Sequence, residues 1–358
     1  MTTPSFELLD PRSTRLADWL AAAGQPAFRL RQIRRWLFQG RAVSWESMSD
    51  LPQPLREKLV STGPLWESHI VRHHRASDGT EKLVLQWRDG GQIECVLLRD
   101  GTRRTICIST QVGCAMGCVF CASGLDGVKR NLTTTEIVEQ MLRLQQLLPA
   151  TERLSHIVVM GMGEPLANLD QLLPALEVAS SPDGLGISVR RITISTVGIP
   201  KAIDRLVELR TTYNLAVSLH APNDPLRTEL VPVNRSIGLE AVLQAADRYF
   251  DSSGRRLTFE YVLLGGVNDQ PTHARELGKL LHGRTALLNL IPYNRVAGLP
   301  YESPTAAAVA EFCRIVGLFG VNAQVRERKG DEISAACGQL RRSKLIGPRM
   351  ELTTDGHG

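Results

Sequence analysis

The chain has 358 residues, 43% of them hydrophobic, a net charge of +5 and a sequence pI of about 8.9. It contains no apolar run of the roughly eighteen residues that a membrane helix needs, and its opening, MTTPSFELLDPRSTR, carries acids where a secretory signal needs an apolar core. Seven cysteines, an odd number, argue against a disulfide scaffold and point to a reducing, cytoplasmic setting. The mild basic excess suits a polyanionic partner without demonstrating one.

Residues 11–60 read as short helices. Gly24-Gln25-Pro26 separates the first from the second, and Pro26 suits a first helical position. In the second helix Leu30, Ile33, Trp36 and Leu37 fall on one stripe, with Arg31, Arg34 and Arg35 opposite. That basic face could bind phosphates; an ordinary solvated face is the competing reading. Lys82–Arg88 and Gln92–Arg99 flank Asp89-Gly90-Gly91 as a hairpin.

A boundary is expected near residue 100, beyond which strands and helices alternate. Strands are expected to begin near Thr105, Ser155, Arg191, Asn214, Leu257, Ala286 and Val321, with helices at Thr134–Leu148, Leu239–Phe250 and Pro304–Leu318. Six such units plus a final strand predict an α/β partial (βα) barrel whose functional loops follow the carboxyl ends of its strands. The expected organisation is a helical accessory domain over 1–60, a β-hairpin connector over 61–100, the barrel over 101–345 and a loose tail over 346–358.

Cys114, Cys118 and Cys121 stand in a C-x3-C-x2-C pattern between an expected strand and helix. Three thiolates suit a cubane iron–sulfur cluster whose fourth iron stays open for chemistry. A structural zinc, with His156 or His220 as fourth ligand, is the alternative, but zinc sites favour paired C-x-x-C units and no second pair occurs. Met160-Gly161-Met162-Gly163-Glu164-Pro165 follows the second strand. Its glycines allow close approach to the backbone, and its carboxylate can accept from an ammonium group. Ser195, Ser218, His220 and Asn294 also fall at expected strand ends. Each taken singly reads as a cap or a satisfied core polar group; together they suggest a ligand site.

The C-x3-C-x2-C spacing, with Phe120 before its last cysteine, resembles the radical S-adenosylmethionine (SAM) superfamily. The ordered segments CISTQVGCAMGCVFCASG, MGMGEPLAN, SLHAPND, VPVN, LIPYN and GDEISAACGQL narrow the resemblance to the RlmN/Cfr family of RNA adenine methyltransferases, over about Glu94 to Leu340. The resemblance implies a [4Fe-4S] cluster on Cys114, Cys118 and Cys121, and SAM held by Gly163, Glu164, Ser195, Ser218, Leu219, His220 and Asn294. It implies two SAM molecules per turnover: one methylates Cys337, and the second yields a 5′-deoxyadenosyl radical that activates that methyl group. The carbon then joins carbon 2 of the adenine, a position that is not nucleophilic enough for direct transfer.

Within the same resemblance, Glu94 matches the proton acceptor, and Cys107 attacks the Cys337 sulfur to release the product and leave a disulfide. Implied substrates are 23S rRNA and tRNA next to the anticodon, and implied electron donors are flavodoxin or ferredoxin. Carbon-8 methylation of the Cfr type is the alternative, and a non-catalytic iron–sulfur RNA-binding protein is the alternative of another class. Outside the resemblance, Cys107 and Cys337 would read as inert buried thiols, as Cys95 and Cys313 do. Arg326, Arg328 and Lys329, preceding Cys337, are expected to grip RNA near the active site.

Overall fold

The computed structural model describes residues 6–326 and 329–340. The tail expected over 346–358, and Arg328, lie outside the described residues. Three helices come first, α1 (Arg15–Ala22), α2 (Phe28–Phe38) and α3 (Gln53–Thr62). Ile33 and Leu37 are buried as their spacing predicts, and Phe38 joins them. Helix α2 begins two residues after Pro26, which supplies a carbonyl to the turn instead of occupying the first helical position. Arg31 and Arg35 are exposed, but Arg35 is paired with Asp50, which also accepts from the indole of Trp36.

Strands β1 (His69–Arg75), β2 (Glu81–Gln86), β3 (Gln92–Asp100) and β4 (Arg103–Cys107) form an antiparallel run. The expected hairpin is β2–β3, closed by Gly90 at φ +77°. Strand β1 has no counterpart in the sequence reading: its HIVRHHR lacks apolar alternation and it is an exposed edge. The chain over 61–100 is continuous with the barrel sheet, because β3 pairs with β4 from Val96↔Cys107 to Asp100↔Arg103.

After a two-stranded ribbon of β5 (Gln111–Gly113) and β6 (Val128–Asn131), the sheet continues with β7 (His156–Val159), β8 (Ile192–Thr196), β9 (Asn214–Ser218), β10 (Leu257–Leu263), β11 (Ala286–Pro292) and β12 (Asn322–Val325). From β4 onward these strands are parallel neighbours in chain order, the arrangement of a partial barrel. The helices between them are α4 (Thr134–Gln145), α5 (Leu169–Ser180), α6 (Pro200–Glu208), α7 (Asp224–Leu230), α8 (Asn234–Ile237), α9 (Leu239–Ser253), α10 (Pro271–Leu281) and α11 (Ala306–Gly317). Right-handed crossovers place such helices outside a parallel sheet.

Helix α4 is buried on nearly every side because the amino-terminal helices cover its outer face. Leu16, Leu20, Ile33 and Leu55 share an apolar core with Ile137 and Met141. Polar contacts fix the same junction. Arg41 donates to the carbonyls of Leu148, Pro149 and Glu152, and Gln145 donates to that of Phe38. Buried apolar area contributes roughly 25 cal/mol per Å², so the accessory helices are anchored by more than their linker. No helix among the described residues is long and apolar enough to cross a membrane.

Candidate active site

The chain leaves β4 at Cys107 and passes through β5 into the three-cysteine loop. Strand β6 returns against β5 and closes the loop's base. A Cβ on Gly113, which sits at φ +85°, would lie 2.0 Å from the Gly127 carbonyl oxygen, so only glycine fits there. The loop is tied down further by Cys114 N donating to Gly127 O (3.1 Å) and Val119 N to Leu230 O (3.1 Å). Cys114, Cys118 and Cys121 all line one cavity of about 150 Å³ at the carboxyl ends of the strands.

Burial pushes the Cys114 thiol up to about 11 and raises Cys118 and Cys121; neighbouring thiols add to all three, and Arg227 acts the other way on Cys118. Among the described residues no three His, Cys, Asp or Glu side chains gather tightly enough to hold one metal ion. A single zinc would need such a group; a cubane does not, because each thiolate takes its own iron. His156 begins β7, at the opposite end of the strands, so it does not complete a cysteine–zinc set.

Sequence-predicted residues converge on this cavity. Gly163, Glu164, Ser195, Ser218, His220 and Asn294 line it with the cysteines. Glu164 is anchored through both oxygens, which accept from Leu166 N (3.0 Å) and Val197 N (2.9 Å); burial raises its pKa. The Thr196 side chain bonds the same carboxylate. The glycines of the motif serve packing more than ligand approach. A Cβ on Gly161 would meet Ile108 O at 2.7 Å, and one on Gly163 would meet Gln111 N at 2.8 Å.

His220 sits at φ +60°, an unfavourable region for a residue with a Cβ. Its neighbours hold it there: Val262 N donates to its Nδ1 (3.1 Å) and Asn268 Nδ2 to its carbonyl (2.8 Å). Burial, with Arg227 nearby, depresses its pKa to about 3, so the ring is neutral. Phe120 packs edge-on against that ring at 4.9 Å.

Leu219 departs from expectation. It does not line the cavity; its side chain is in the core, its N–H donates to Glu260 O (3.0 Å) and its carbonyl accepts from Arg227 Nε (3.2 Å). Strand alternation turns the residue between Ser218 and His220 away from the ligand side.

Arg227 was not singled out from sequence. Fully buried, it donates to the carbonyls of Val197, Ser218 and Leu219 and to Asn234, tying the ends of β8 and β9 to the start of α8. Its only sequence signal is an arginine just after the Asn223 cap of α7. Glu260, in mid-strand, was also passed over. It lines the cavity with Oε1 accepting from Asn289 (3.0 Å) and Oε2 buried without a partner. Asn294 Nδ2 donates to the Cys337 carbonyl (3.2 Å), and its Oδ1 is likewise buried and unpartnered. These two orphaned acceptors face a ligand rich in donors, as the ammonium, ribose and adenine groups of SAM are; the lining fits that cofactor.

A second cavity, of about 600 Å³, runs inside the barrel and shares Met160, Ile291, Asn294, Arg326 and Cys337 with the first. Cys107 lines only the second; Cys337 lines both. Burial and the neighbouring Cys337 sulfur push the Cys107 thiol up to about 12, while Arg326 pulls the other way. Arg326 is buried beside Cys337, Glu260 and Cys107, and these neighbours keep it charged.

The segment bearing Cys337 is fastened on two sides. Ala122 N donates to Gly338 O (2.8 Å) and Ser123 Oγ to Leu340 O (2.7 Å), while Lys82 Nζ reaches Ser334 O (3.0 Å). Lys82 also pairs with Glu94 Oε1 at 3.1 Å, both side chains being buried. Glu94 lines neither cavity and lies beneath this segment. Cys95 is fully buried and Cys313 half-buried, away from both cavities.

Comparison with known proteins agrees with this geometry. Residues 108–277 match the radical SAM superfamily, whose members use a [4Fe-4S] cluster and SAM, and residues 6–63 match the ribosomal RNA large subunit methyltransferase N-terminal domain. A probable dual-specificity RNA methyltransferase RlmN from Rhodopirellula baltica is 63% identical, covering 96% of this chain and 95% of its own. The corresponding protein of Gloeobacter violaceus is 44% identical over 99% of both. The crystal structure of a radical SAM methyltransferase from Sphaerobacter thermophilus superposes with a TM-score of 0.87 at 43% identity, covering 92% of this chain and 97% of that one. On this sequence agreement, and with the cysteine loop and cofactor-sized lining in place, the chain belongs to the RlmN family of radical SAM RNA methyltransferases.

Proposed function

We propose that this enzyme methylates carbon 2 of adenine in 23S rRNA and in tRNA next to the anticodon, with Cys337 as methyl carrier and Cys107 as the thiol that releases the product. The observation that carries the reading is the placement of the two sulfurs. Cys337 faces both cavities, so it can take a methyl group on one side and present it on the other. Cys107 faces only the cavity into which the methylated sulfur would project.

When bound, the cluster on Cys114, Cys118 and Cys121 supplies the electron that makes SAM a radical source. The protein's own groups do the rest. Glu164, Asn294 and Glu260 offer acceptors to the cofactor, and Arg227 ties the loop after β8, whose Val197 N–H holds Glu164, to the loop after β9. Asn294 fixes the Cys337 backbone. Arg326 lies beside both sulfurs and offsets part of the burial that raises the Cys107 thiol, which aids the thiolate that nucleophilic sulfur requires. Glu94, paired with Lys82, is the acceptor for the carbon-2 proton, reached as the 330–338 segment adjusts over it. Release is attack of the Cys107 thiolate on the Cys337 sulfur: a carbon–sulfur bond breaks, a sulfur–sulfur bond forms, and a reductant must restore both thiols.

The accessory domain, residues 1–60, adds an RNA contact through Arg31 and Arg34, the barrel over 101–345 carries the chemistry, and the hairpin region over 61–100 supports the Cys337 segment. The setting is the cytoplasm, with flavodoxin or ferredoxin as electron donor. The test is chromatography with mass spectrometry of rRNA and tRNA digests from cells with and without the gene. Loss of 2-methyladenosine from both supports the proposal; loss of 8-methyladenosine replaces it with the Cfr-type reaction.

A further inference from the structure

We propose that the target nucleotide reaches Cys337 through the barrel lumen, from the end opposite the cofactor, and that Arg103, Arg190 and Arg191 grip its flanking phosphates there. This rests on the reading of Cys337 as methyl carrier, and extends it to where the RNA sits.

Four observations carry it. The first is connectivity. The 600 Å³ cavity runs from Cys107 and Cys337 down to Arg103, His156 and Asn214, the first residues of β4, β7 and β9. Its volume lies within the roughly 300–1,000 Å³ of small-ligand sites. The second is the division of sulfurs: a substrate bonded to Cys337 and then released by Cys107 must occupy the one cavity that both line.

The third is closure of the other end. The cluster loop is hydrogen-bonded to the Cys337 segment through Gly338 and Leu340, so the carboxyl-end mouth is spanned by protein as well as needed for the cofactor.

The fourth is charge. Arg103, Arg190 and Arg191 are exposed at the amino-end mouth, and none forms an ion pair among the described residues, whereas neighbouring Arg104 is tied to Glu152. The mouth's one carboxylate, Asp100, is already paired with Lys329 at 3.0 Å. Burial, with Arg103 and Arg191 nearby, holds His156 below its ordinary pKa, which keeps that ring neutral among the cations.

Unpaired arginines at a mouth are the chemistry of phosphate recognition. The lumen wall suits a base: Thr105, Thr193, Asn289 and Gln324 offer hydroxyl and amide groups beside the aliphatic Val158 and Ile291. An adenine taken out of its stack can enter such a shaft while its backbone stays outside. It then meets the methyl-bearing sulfur from below, without competing for the cofactor's side of the barrel.

Two variants of the cluster-loaded full-length enzyme test the route. In Arg103→Glu/Arg190→Glu/Arg191→Glu, affinity for an anticodon stem-loop RNA should fall at least tenfold. Its dependence on salt should flatten by about 0.7–0.9 in log–log slope per lost phosphate contact. In Thr193→Trp, which puts an indole into the lumen from its wall, RNA methylation should fall at least fiftyfold. Methyl uptake by Cys337 from SAM alone, read by mass spectrometry of the Cys337 peptide, should fall far less. Wild-type affinity and salt slope in the triple variant, or wild-type RNA turnover through the plugged lumen, would overturn the route and bring the RNA in beside the cofactor. Failure of wild-type Cys337 to take a methyl group would instead remove the carrier reading, while the binding measurement still decides the route.

Discussion

The two ends of the barrel are built for opposite partners. At the carboxyl end, cysteines, the doubly anchored Glu164, the neutral His220 and two orphaned acceptors line a pocket spanned by the Cys337 segment. At the amino end, three arginines stand exposed and form no ion pair among the described residues, the carboxylate beside them, Asp100, being paired with Lys329. A small cofactor must be sealed and oriented, so its pocket spends hydrogen bonds on holding its own walls. A polyanion is held by charge across a wide mouth and needs fewer fixed contacts. Cys337 is where the two designs meet, and the Asn294 amide that holds its carbonyl belongs to both cavities.

The sharpest break of this comparison is Cys118→Ala. Two thiolates hold a cubane poorly, so cluster content, read by iron analysis and visible absorption, and all RNA methylation should be lost. A fully loaded, active variant would mean the carboxyl end is not the cluster site.

Next is Cys107→Ala. The cofactor end is intact in this variant, so radical addition should proceed, but the thiol that breaks the link is gone. Protein covalently joined to RNA should accumulate, visible as a ribonuclease-sensitive band on a denaturing gel and absent in Cys107→Ala/Cys337→Ala. The wild type carries a related signature in pH. A thiol raised to about 12 is protonated throughout the neutral range. If release needs the thiolate, its rate should rise about tenfold per unit between roughly pH 6 and 9. A flat profile would assign release to another group.

Glu94→Gln tests the junction between the ends. Loss of a general base costs about 10²-fold or more, measured as adduct decay. The substitution also leaves Lys82 buried and unpaired, a destabilisation of about 3–5 kcal/mol. The double variant Lys82→Met/Glu94→Gln separates the two effects: it should regain thermal stability without regaining rate.

The smallest effect is expected at α2. Arg31→Glu/Arg34→Glu should lower RNA affinity only a few-fold, since this face is remote from the lumen. An effect exceeding that of the three mouth arginines would move the main RNA contact to the accessory helices. Point variants are preferable to deleting residues 1–60, because that segment shares its core with α4 and its loss would expose Ile137 and Met141.

Much of this was legible from the chain alone. The order of βα units follows from apolar periodicity, which reports burial locally and survives into the fold. The three-cysteine loop follows from spacing, because ligands of one cluster must be close in sequence when a single loop carries them. Gly163, Glu164, Ser195, Ser218, His220 and Asn294 could be read as neighbours because strand ends gather at one face of a βα barrel, and all six line one cavity there. Leu219 was misplaced because pleating decides which of three consecutive residues faces the ligand, and here it turns Leu219 into the core.

What only the tertiary structure decided concerns residues brought together by closure of the sheet. The edge strand β1 and the pairing of β3 with β4 extend the barrel sheet past residue 100, since hydrogen-bonded register between strands leaves no local mark. Arg227 and Glu260 look like ordinary charges in sequence; burial gives one its anchoring role and leaves the other an unpaired oxygen. Arg103 and Arg191 are 88 positions apart, yet parallel strands bring their starting residues to one mouth. Chemistry carried by one loop is written in its residue types, whereas a shaft through a barrel exists only once the strands have closed around it.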